Sequence, residues 1–194
     1  WQVLSDKGAT RHSLLINLGG GMITDLGGFA AATFKRGFAY INVPTTLLAM
    51  VDASVGGKTG INFNGLKNEV GVFAPANCVL IETEFLRSLD TQNFFSGYAE
   101  MLKHGLISNT AHWTELLNFN TESIDYSYLK QLVGQSVQVK ENIVEQDPFE
   151  HGIRKALNLG HTVGHAFESL ALAENRPVLH GYSLLPVQIV LQAV

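Results

Sequence analysis

Two histidines one helical turn apart have the spacing in this sequence that most clearly suggests chemistry. His161 and His165 follow Asn158 in a segment with helical periodicity, so the three side chains are expected on one helix face. His180 comes after a short connection, and Glu100 offers a carboxylate in another helical segment. Two imidazoles and a carboxylate leave one coordination position open, as Lewis-acid catalysis requires. This pattern predicts a catalytic metal site, although a structural role is commoner for any single histidine.

Two better-known motifs do not fit. Thr162 follows His161, so the His-Glu-x-x-His pattern of zinc proteases is absent. Gly57-Lys58-Thr59 resembles the end of a phosphate-binding P-loop, but Asp52 stands where that loop needs its first glycine. What remains is a glycine-rich loop with Lys58, followed by Lys67, which suits an anionic ligand. Solvated surface lysines are the alternative, and the residues alone slightly favour it.

A third candidate is a glycine-rich turn between a predicted strand and a predicted helix. Gly19-Gly20-Gly21 ends the apolar run Ser13–Leu18, and Leu26–Phe34 is rich in alanine. Glycines at such a turn allow a pyrophosphate to approach the backbone, and the helix N-terminus offers free N–H groups. The spacing differs from G-x-G-x-x-G, so a plain tight turn is equally compatible. Thr45 and Thr46 place two hydroxyls after a second strand, where α/β sheets bind ligands.

The remaining patterns predict the elements that position these groups. Three short β-prone runs alternate with helical stretches, which predicts βαβ units and a parallel sheet. These runs are Ser13–Leu18, Phe38–Val43 and Asn77–Ile81. After about residue 90 the periodicity is helical, over Thr91–Ser108, Ala111–Leu117, Tyr128–Glu145 and Leu157–Ala173. We therefore predict a partial α/β nucleotide-binding domain over residues 1–90 and a partial α-helical domain over residues 91–194.

Composition excludes several classes of protein. Of the 194 residues 46% are hydrophobic and 15% charged, as in globular proteins, and a net charge of -4 argues against a nucleic-acid partner. No apolar run approaches the ~20 residues of a membrane span, so no membrane partner is expected. The single cysteine, Cys78, suits a reducing compartment, which predicts a cytoplasmic location. Cys78 itself is expected to pack within its strand.

Five motifs, in order, resemble those of the 3-dehydroquinate synthase family. They are GGGxxxDxxG from Gly19, PTTLLAxVDxSVGGKTGxN from Pro44, KN at Lys67, GxAExxKxGxI from Gly97, and RxxLNxGHTxGHAxE from Arg154. The resemblance runs from about Leu14 to Gly181. It implies a Rossmann-like α/β N-terminal part with a parallel sheet, followed by an α-helical domain. Family members are longer, so the resemblance also implies truncation at both ends.

The resemblance implies a specific role for each candidate site residue. Metal ligands, for zinc or cobalt, would be Glu100, His161 and His180. NAD would be bound by Gly21, Met22, Ile23, Thr24, Asp25, Thr45, Thr46, Lys58, Lys67, Phe85, Leu86, Arg87 and Ser88. The substrate's hydroxyl groups would contact Asp52, Lys103, Glu150 and Asn158. Its carboxylate would contact Lys140 and Arg154. The substrate phosphate would contact Lys58, Asn68 and His165. Arg36 would reach the phosphate site of a neighbouring subunit, which implies a homodimer.

The implied activity is a redox-neutral cyclisation in the shikimate pathway of aromatic amino acid biosynthesis. A phosphorylated keto acid, 3-deoxy-D-arabino-heptulosonate 7-phosphate, would become 3-dehydroquinate with elimination of phosphate, a lyase reaction. NAD would remove a hydride and return it, and activity would fall in acid because His161 must be deprotonated to bind the metal. The alternatives are a sister cyclase of the inosose or valiolone type, an NAD-dependent polyol or glycerol-phosphate dehydrogenase, and an inactive truncated remnant.

Two expectations concern where the sequence departs from the family. After Gly181 the family continues with a short helix of small residues, whereas here the segment Tyr182–Val187 contains Pro186, which disturbs a helix interior. Because family members are longer at both ends, the 194-residue chain by itself is expected to be inactive or poorly folded.

Overall fold

The chain forms two compact units, Trp1–Glu82 and Thr83–Val194. The computed structural model describes residues 1–64, 66–176 and 178–184, and the side chains of residues 66 and 67 are outside the described part. The boundary between the units lies at residues 82 and 83, whereas the sequence placed it near residue 90. In the described residues no helix is long and apolar enough to cross a membrane.

The first unit contains the predicted parallel sheet. Its strands are β1 (Leu14–Gly19), β2 (Ala39–Pro44) and β5 (Cys78–Val79), in the order β1-β2-β5. A short helix, α1 (Gln2–Asp6), precedes β1, and α2 (Gly21–Thr33) connects β1 to β2, as a βαβ unit requires. The parallel sheet with its crossover helix is therefore confirmed. Helix α2 begins five residues before the predicted Leu26, directly after the glycine turn.

Two sequence expectations in this unit are wrong. The stretch interpreted as a glycine-rich loop becomes strand β3 (Lys58–Phe63), which pairs antiparallel with β4 (Leu66–Phe73). Gly71 permits this pairing, since a Cβ there would overlap the Thr59 carbonyl oxygen. Cys78 lies in β5 but is exposed, because β5 is only two residues long and contributes little burial.

Helix α2 packs closely on the parallel sheet and on strand β3 because two consecutive residues, Gly27 and Gly28, lack side chains. A Cβ at Gly27 would overlap Oδ1 of Asn17, and one at Gly28 would meet Cγ2 of Thr59 at 2.6 Å. Asn17 is buried in β1 and donates from Nδ2 to Oδ1 of buried Asn42 in β2, at 2.9 Å. The glycine pair thus allows helix and sheet to enclose a satisfied polar pair.

Replacing Gly27 with alanine is expected to destabilise the protein by about 1–3 kcal/mol. The added methyl group displaces the Asn17 side chain and breaks its buried hydrogen bond to Asn42. Urea unfolding measures the change. Gly134→Ala is the matched control: Gly134 lies inside a helix with nothing near its Cβ position, so alanine there is expected to stabilise by roughly 0.5–1 kcal/mol. Equal effects of the two substitutions would contradict the packing argument.

The second unit is helical, as predicted. Its helices are α3 (Thr91–Ser108), α4 (Thr110–Asn118), α5 (Tyr126–Gln146) and α6 (His161–Ala173), and residues 180–184 are also helical. Side-chain caps fix three of the starts: Asp90 accepts from the Asn93 amide, Asn109 from the His112 amide, and Asp125 from the amides of residues 127 and 128. Leu116 of α4 and Leu129 and Leu132 of α5 form part of the core.

The helix predicted over Leu157–Ala173 is interrupted. A 3₁₀ helix covers Ile153–Asn158, Gly160 has a left-handed backbone with φ of 82°, and α6 begins only at His161. Asn158 is therefore outside α6, and the expectation that it shares a helix face with His161 and His165 is wrong. The segment after Gly181 is helical as far as it is described, and Pro186 lies outside the described residues.

Candidate functional site

A carboxylate and two imidazoles of the second unit converge on one point. Glu100 of α3 is fully buried, and its Oε1 lies 3.1 Å from Nε2 of His180 and 3.7 Å from Nε2 of His161. The three ligand atoms lie within 4.8 Å of one another. Helix α6 presents His161 in its first turn, and His180 opens the helical segment 180–184. The three predicted metal ligands are thus brought together from three segments of the chain.

The geometry of these three atoms fits a tetrahedral metal ion. Metal–ligand bonds of ~2.0–2.2 Å at the tetrahedral angle separate neighbouring ligand atoms by ~3.4 Å, which the spacings of 3.1 and 3.7 Å bracket. Nδ1 of His161 faces the carbonyl oxygen of Leu159 at 3.4 Å, so its proton belongs on Nδ1 and its Nε2 lone pair faces Glu100. Three protein ligands leave a fourth position open, which is typical of catalytic rather than structural zinc.

The two oxygens of Glu100 have separate partners. Oε1 faces the imidazoles, whereas Oε2 accepts a hydrogen bond from the Lys103 ammonium, one turn further along α3. Both side chains of this ion pair are buried, at 0% and 1% exposure. The ammonium therefore orients the carboxylate and places a positive charge beside it.

His180 lies between two carboxylates. Its Nδ1 is 2.7 Å from Oε1 of Glu168, and its Nε2 is 3.1 Å from Oε1 of Glu100. Burial by itself lowers the pKa of His180, but the hydrogen bonds and charges of Glu100 and Glu168 outweigh it and raise the pKa to about 9. Without metal, His180 at neutral pH is therefore an imidazolium that donates to both carboxylates.

Zinc binding at pH 7 is expected to release about one proton, since the metal takes the position of the Nε2 proton of His180. Because the pKa of His180 is about 9 and protonation opposes binding, the apparent zinc affinity should rise about tenfold per pH unit between pH 7 and 9. Calorimetric titration in two buffers of different ionisation enthalpy measures the released proton. His151→Ala, at an exposed position of the same unit, is the control and should leave the number of released protons unchanged. An affinity independent of pH over this range would contradict the assignment.

The loop between α5 and α6 contains three predicted substrate residues and is organised by Asp147. The Asp147 carboxylate accepts backbone N–H groups of His151, Gly152 and Arg154, at 2.7–3.1 Å. Burial raises the pKa of Asp147, but these three N–H donors outweigh it and leave the pKa lowered. The predicted residues in this loop meet partners within it: Arg154 donates from Nη1 to the carbonyl oxygen of Pro148, and Asn158 from Nδ2 to Glu150 Oε1.

Other predicted substrate residues of this unit lie on α5 and α6. Lys140 of α5 is 6% exposed, and Arg154 is 1% exposed, so both cations are largely enclosed by protein. His165 is exposed on α6, with its ring centroid 5.3 Å from that of His161 and 5.6 Å from that of His180. His165 therefore stands beside the metal ligands without joining the Glu100 cluster.

The first unit holds most of the predicted NAD residues, at the carboxyl ends of β1 and β2. Residues 21–25 form the start of α2, and the Thr24 hydroxyl donates to the Gly21 carbonyl. The Thr45 amide donates to the Gly19 carbonyl at 2.9 Å, which joins the ends of the two strands. Thr46 lies against Gly20, where a Cβ would meet its Cγ2 at 3.2 Å. This arrangement suits a pyrophosphate at a helix N-terminus.

The remaining predicted substrate- and cofactor-binding residues of the first unit lie in the hairpin and in two short turns. Lys58 begins β3 and is exposed, Asn68 is exposed on β4 with φ of 51°, and Asp52 lies in the π-helical turn Ala49–Ala53. Lys67 is in β4, and its side chain is outside the described part. Arg36 ends a short 3₁₀ turn with φ of 69°, on a surface groove lined by Thr10, Arg11, His12, Thr33, Lys35 and Arg36.

The last four predicted NAD residues belong to the second unit. Residues 85–88 end the 3₁₀ helix Thr83–Ser88. The Leu86 side chain is buried in the core of this unit at 2% exposure. Arg87 donates to both oxygens of Glu84, at 2.6 and 3.1 Å, and its guanidinium stacks 4.2 Å from the ring centre of Tyr126.

Sequence reasoning assigned no role to Glu168 or Asp147. Glu168 is seven residues after His161 and three after His165, so helical spacing places it on the same side of α6. That spacing was a usable signal. Asp147 ends α5 and has no comparable spacing signal, because it acts through backbone groups of a loop whose shape the sequence does not reveal.

Comparisons with known proteins agree along the whole chain. The family model described as 3-dehydroquinate synthase N-terminal matches residues 1–96, and the one described as 3-dehydroquinate synthase C-terminal matches residues 97–192. The 3-dehydroquinate synthase of Parabacteroides distasonis is 65% identical over 184 residues, covering 95% of this chain and 52% of that protein. The chain thus spans about half the length of the curated relatives it matches.

Solved structures give the same fold. The 2-epi-5-epi-valiolone synthase from Streptomyces hygroscopicus, with NAD+ and Zn2+ bound, matches with a TM-score of 0.88 at 29% identity, over 96% of this chain and 52% of that one. A 2-deoxy-scyllo-inosose synthase complexed with carbaglucose-6-phosphate, NAD+ and Co2+ matches with a TM-score of 0.86 at 28% identity. The match covers 97% of this chain and 51% of that one.

Proposed function

The chain belongs to the 3-dehydroquinate synthase family, and on that premise we propose that the whole protein is itself a 3-dehydroquinate synthase. It would convert 3-deoxy-D-arabino-heptulosonate 7-phosphate into 3-dehydroquinate and inorganic phosphate, as a lyase of aromatic amino acid biosynthesis. The observation that carries the proposal is the convergence of Glu100, His161 and His180 on one point. This ligand set suits a divalent metal with one open position, zinc or cobalt.

The second unit would hold the metal. When bound, the metal supplies a Lewis acid that polarises a substrate oxygen at the open position. Glu100 would provide a carboxylate ligand that the ion pair with the Lys103 ammonium holds in position. Lys103, Glu150 and Asn158 would bind substrate hydroxyl groups, with Glu150 and Asn158 already joined by a hydrogen bond. Pre-arranged polar groups of this kind fix the reacting atoms without further reorganisation.

The first unit would hold NAD at the start of α2. When bound, NAD supplies a hydride acceptor that is regenerated within the same turnover. The N–H groups and positive dipole end at Gly21–Asp25 suit its pyrophosphate, and the hydroxyls of Thr45 and Thr46 suit its polar groups. The proposed cofactor set, NAD with zinc or cobalt, is the one named for the two sister cyclases.

Cations would balance the substrate's two acidic groups. Lys140 and Arg154 would bind the carboxylate, and Lys58, Asn68 and His165 the phosphate. Arg36 would serve the phosphate site of a neighbouring subunit, so we propose a homodimer that works in the cytoplasm. A groove with the basic residues Arg11, Lys35 and Arg36 around it supports an anionic partner for this surface.

Lys140→Met is expected to raise the KM for the keto acid phosphate about 10–100-fold, because a charge-assisted hydrogen bond of about 1.5–3 kcal/mol is lost. The measurement is steady-state phosphate release by the whole protein. Lys130→Met, at an exposed position of the same helix, is the matched control and should leave the KM unchanged. An unchanged KM for Lys140→Met would contradict a role for Lys140 in carboxylate recognition.

A substrate comparison tests the proposed function. The whole protein, supplied with NAD and zinc, should release phosphate from the seven-carbon keto acid phosphate. It should release far less from glucose 6-phosphate or sedoheptulose 7-phosphate, which have no carboxylate. The 194-residue chain alone, assayed in parallel, is expected to be inactive because it covers about half of its relatives' length. A preference for either sugar phosphate would contradict the proposal.

A sister cyclase is the second candidate function, and it has a specific observation in its favour. The two solved cyclases resemble the chain with TM-scores of 0.88 and 0.86. Identity separates the candidates, since it is 65% to a 3-dehydroquinate synthase and 28–29% to the two sister cyclases. Turnover of a phosphorylated sugar that lacks a carboxylate would favour the sister cyclase.

A further inference from the structure

Glu168 of helix α6 contacts His180, one of the proposed metal ligands. Its side chain is only 6% exposed, although it is a carboxylate. Oε1 lies 2.7 Å from Nδ1 of His180 and 3.2 Å from the hydroxyl of Ser183, and Oε2 lies 3.3 Å from Nδ1 of His165. A buried carboxylate needs hydrogen-bond donors, and one of its neighbours is the imidazole of His180, which also faces Glu100.

The short contact to Glu168 determines which nitrogen of His180 can bind a metal. A carboxylate accepts hydrogen bonds and cannot donate them when ionised, so Nδ1 of His180 must carry the proton. The lone pair available for a metal is then on Nε2, the atom that faces Oε1 of Glu100 at 3.1 Å. Glu168 thus selects the tautomer and fixes the ring plane at once.

His161 provides an internal comparison. Its Nδ1 faces the backbone carbonyl oxygen of Leu159 at 3.4 Å, which is a long and weak contact. The contact of His180 to Glu168 is shorter by 0.7 Å and involves a charged acceptor, so it is the stronger orienting interaction.

We propose that Glu168 is a positioning residue, which holds His180 in the Nδ1–H form with Nε2 directed at the metal. This inference rests on the proposed function insofar as that function requires a metal at Glu100, His161 and His180. Glu168 binds neither metal nor substrate in this account and acts through His180 alone. It should therefore affect how tightly and in what geometry the metal is held.

Zinc affinity and the cobalt spectrum of the whole protein test the proposal. Glu168→Ala is expected to weaken zinc binding about 10–100-fold, measured by competition with a chromophoric chelator. The visible absorption of the Co2+-substituted protein should change in intensity, because the orientation of one ligand is lost. Glu168→Gln keeps a neutral acceptor for Nδ1–H, so its affinity should lie between those of Glu168→Ala and the unchanged protein. Glu174→Ala, at an exposed position just after α6, should match the unchanged protein.

The outcomes separate this inference from the proposed function. If the unchanged protein binds zinc and a folded Glu168→Ala or Glu168→Gln variant binds it equally well with the same cobalt spectrum, the positioning role is overturned and the proposed function stands. If Glu168→Ala fails to fold, Glu168→Gln decides alone by the same criterion. If His165→Ala weakens zinc binding as much as Glu168→Ala, Glu168 acts as a ligand with His165 and the inference is also overturned. If the unchanged protein binds no zinc, both proposals fail.

Discussion

Replacing His161 with alanine is expected to abolish phosphate release by the whole protein while leaving it folded. Three ligand atoms converge at the site, and removal of Nε2 of His161 leaves two, too few to retain zinc in a catalytic geometry. Loss of the Lewis acid removes several kcal/mol of transition-state stabilisation, so we expect a fall in kcat/KM of about a thousandfold or more.

The measurement is phosphate release together with the zinc content of the purified variant. His151→Ala is the matched control, since His151 is an exposed histidine of the same unit, and it should keep both zinc and activity. A His161→Ala variant that retains activity after dialysis against a chelator would show that the metal site lies elsewhere.

Glu100→Gln is expected to destabilise the metal-free protein by about 3–5 kcal/mol, because it leaves the Lys103 ammonium buried without its counter-charge. The double variant Glu100→Gln/Lys103→Met removes both charges and should recover most of the lost stability. Neither variant should bind zinc tightly, since a neutral amide replaces the charged ligand.

Urea unfolding of the two single variants and the double variant forms a double-mutant cycle for this buried pair. Stability and zinc binding are expected to separate: the double variant should be stable and should lack zinc. A Glu100→Gln variant as stable as the unchanged protein would contradict the burial of an ion pair at this position. Recovery of zinc affinity in the double variant would contradict the role of Glu100 as a ligand.

The helices could be predicted because local signals agree. The apolar period of α3 and α5 predicts ends that lie within two residues of those observed. The parallel strands were recognisable for a similar reason, since each apolar run ends at glycine, proline or a turn. The ends of these helices and strands depend on residues that are close together in the sequence, so the sequence alone can predict them.

The elements that were missed depend on non-local contacts. Strand β3 begins at Lys58 within a glycine-rich segment, and its pairing with β4 requires the absence of a side chain at Gly71. The break before α6 depends on the left-handed backbone of Gly160, which moves Asn158 out of the helix. Lys58 and Asn158 stay predicted site residues, and the sequence could not establish their backbone geometry.

The metal ligands were predicted as a set, and their environment was not. Helical spacing paired His161 with His165, whereas the structure brings His161 and His180 to Glu100 and leaves His165 beside them. The contact of His180 with a second carboxylate, that of Glu168, was not predicted from the sequence and is seen only in the structure. Burial of the charges of Lys103 and Arg154 is likewise a property of packing, since the residue type alone predicts exposure.

The ratio of phosphate released to NAD supplied is the measurement that tests the central claim most directly. The whole protein is given zinc, excess seven-carbon keto acid phosphate and NAD at less than one-tenth of the substrate concentration, while phosphate and the reduced-nicotinamide absorbance are followed together. A redox-neutral cyclase should release many phosphates per NAD with no net rise in reduced nicotinamide. Accumulation of reduced nicotinamide in proportion to substrate consumed, without phosphate, would contradict the account and indicate a dehydrogenase.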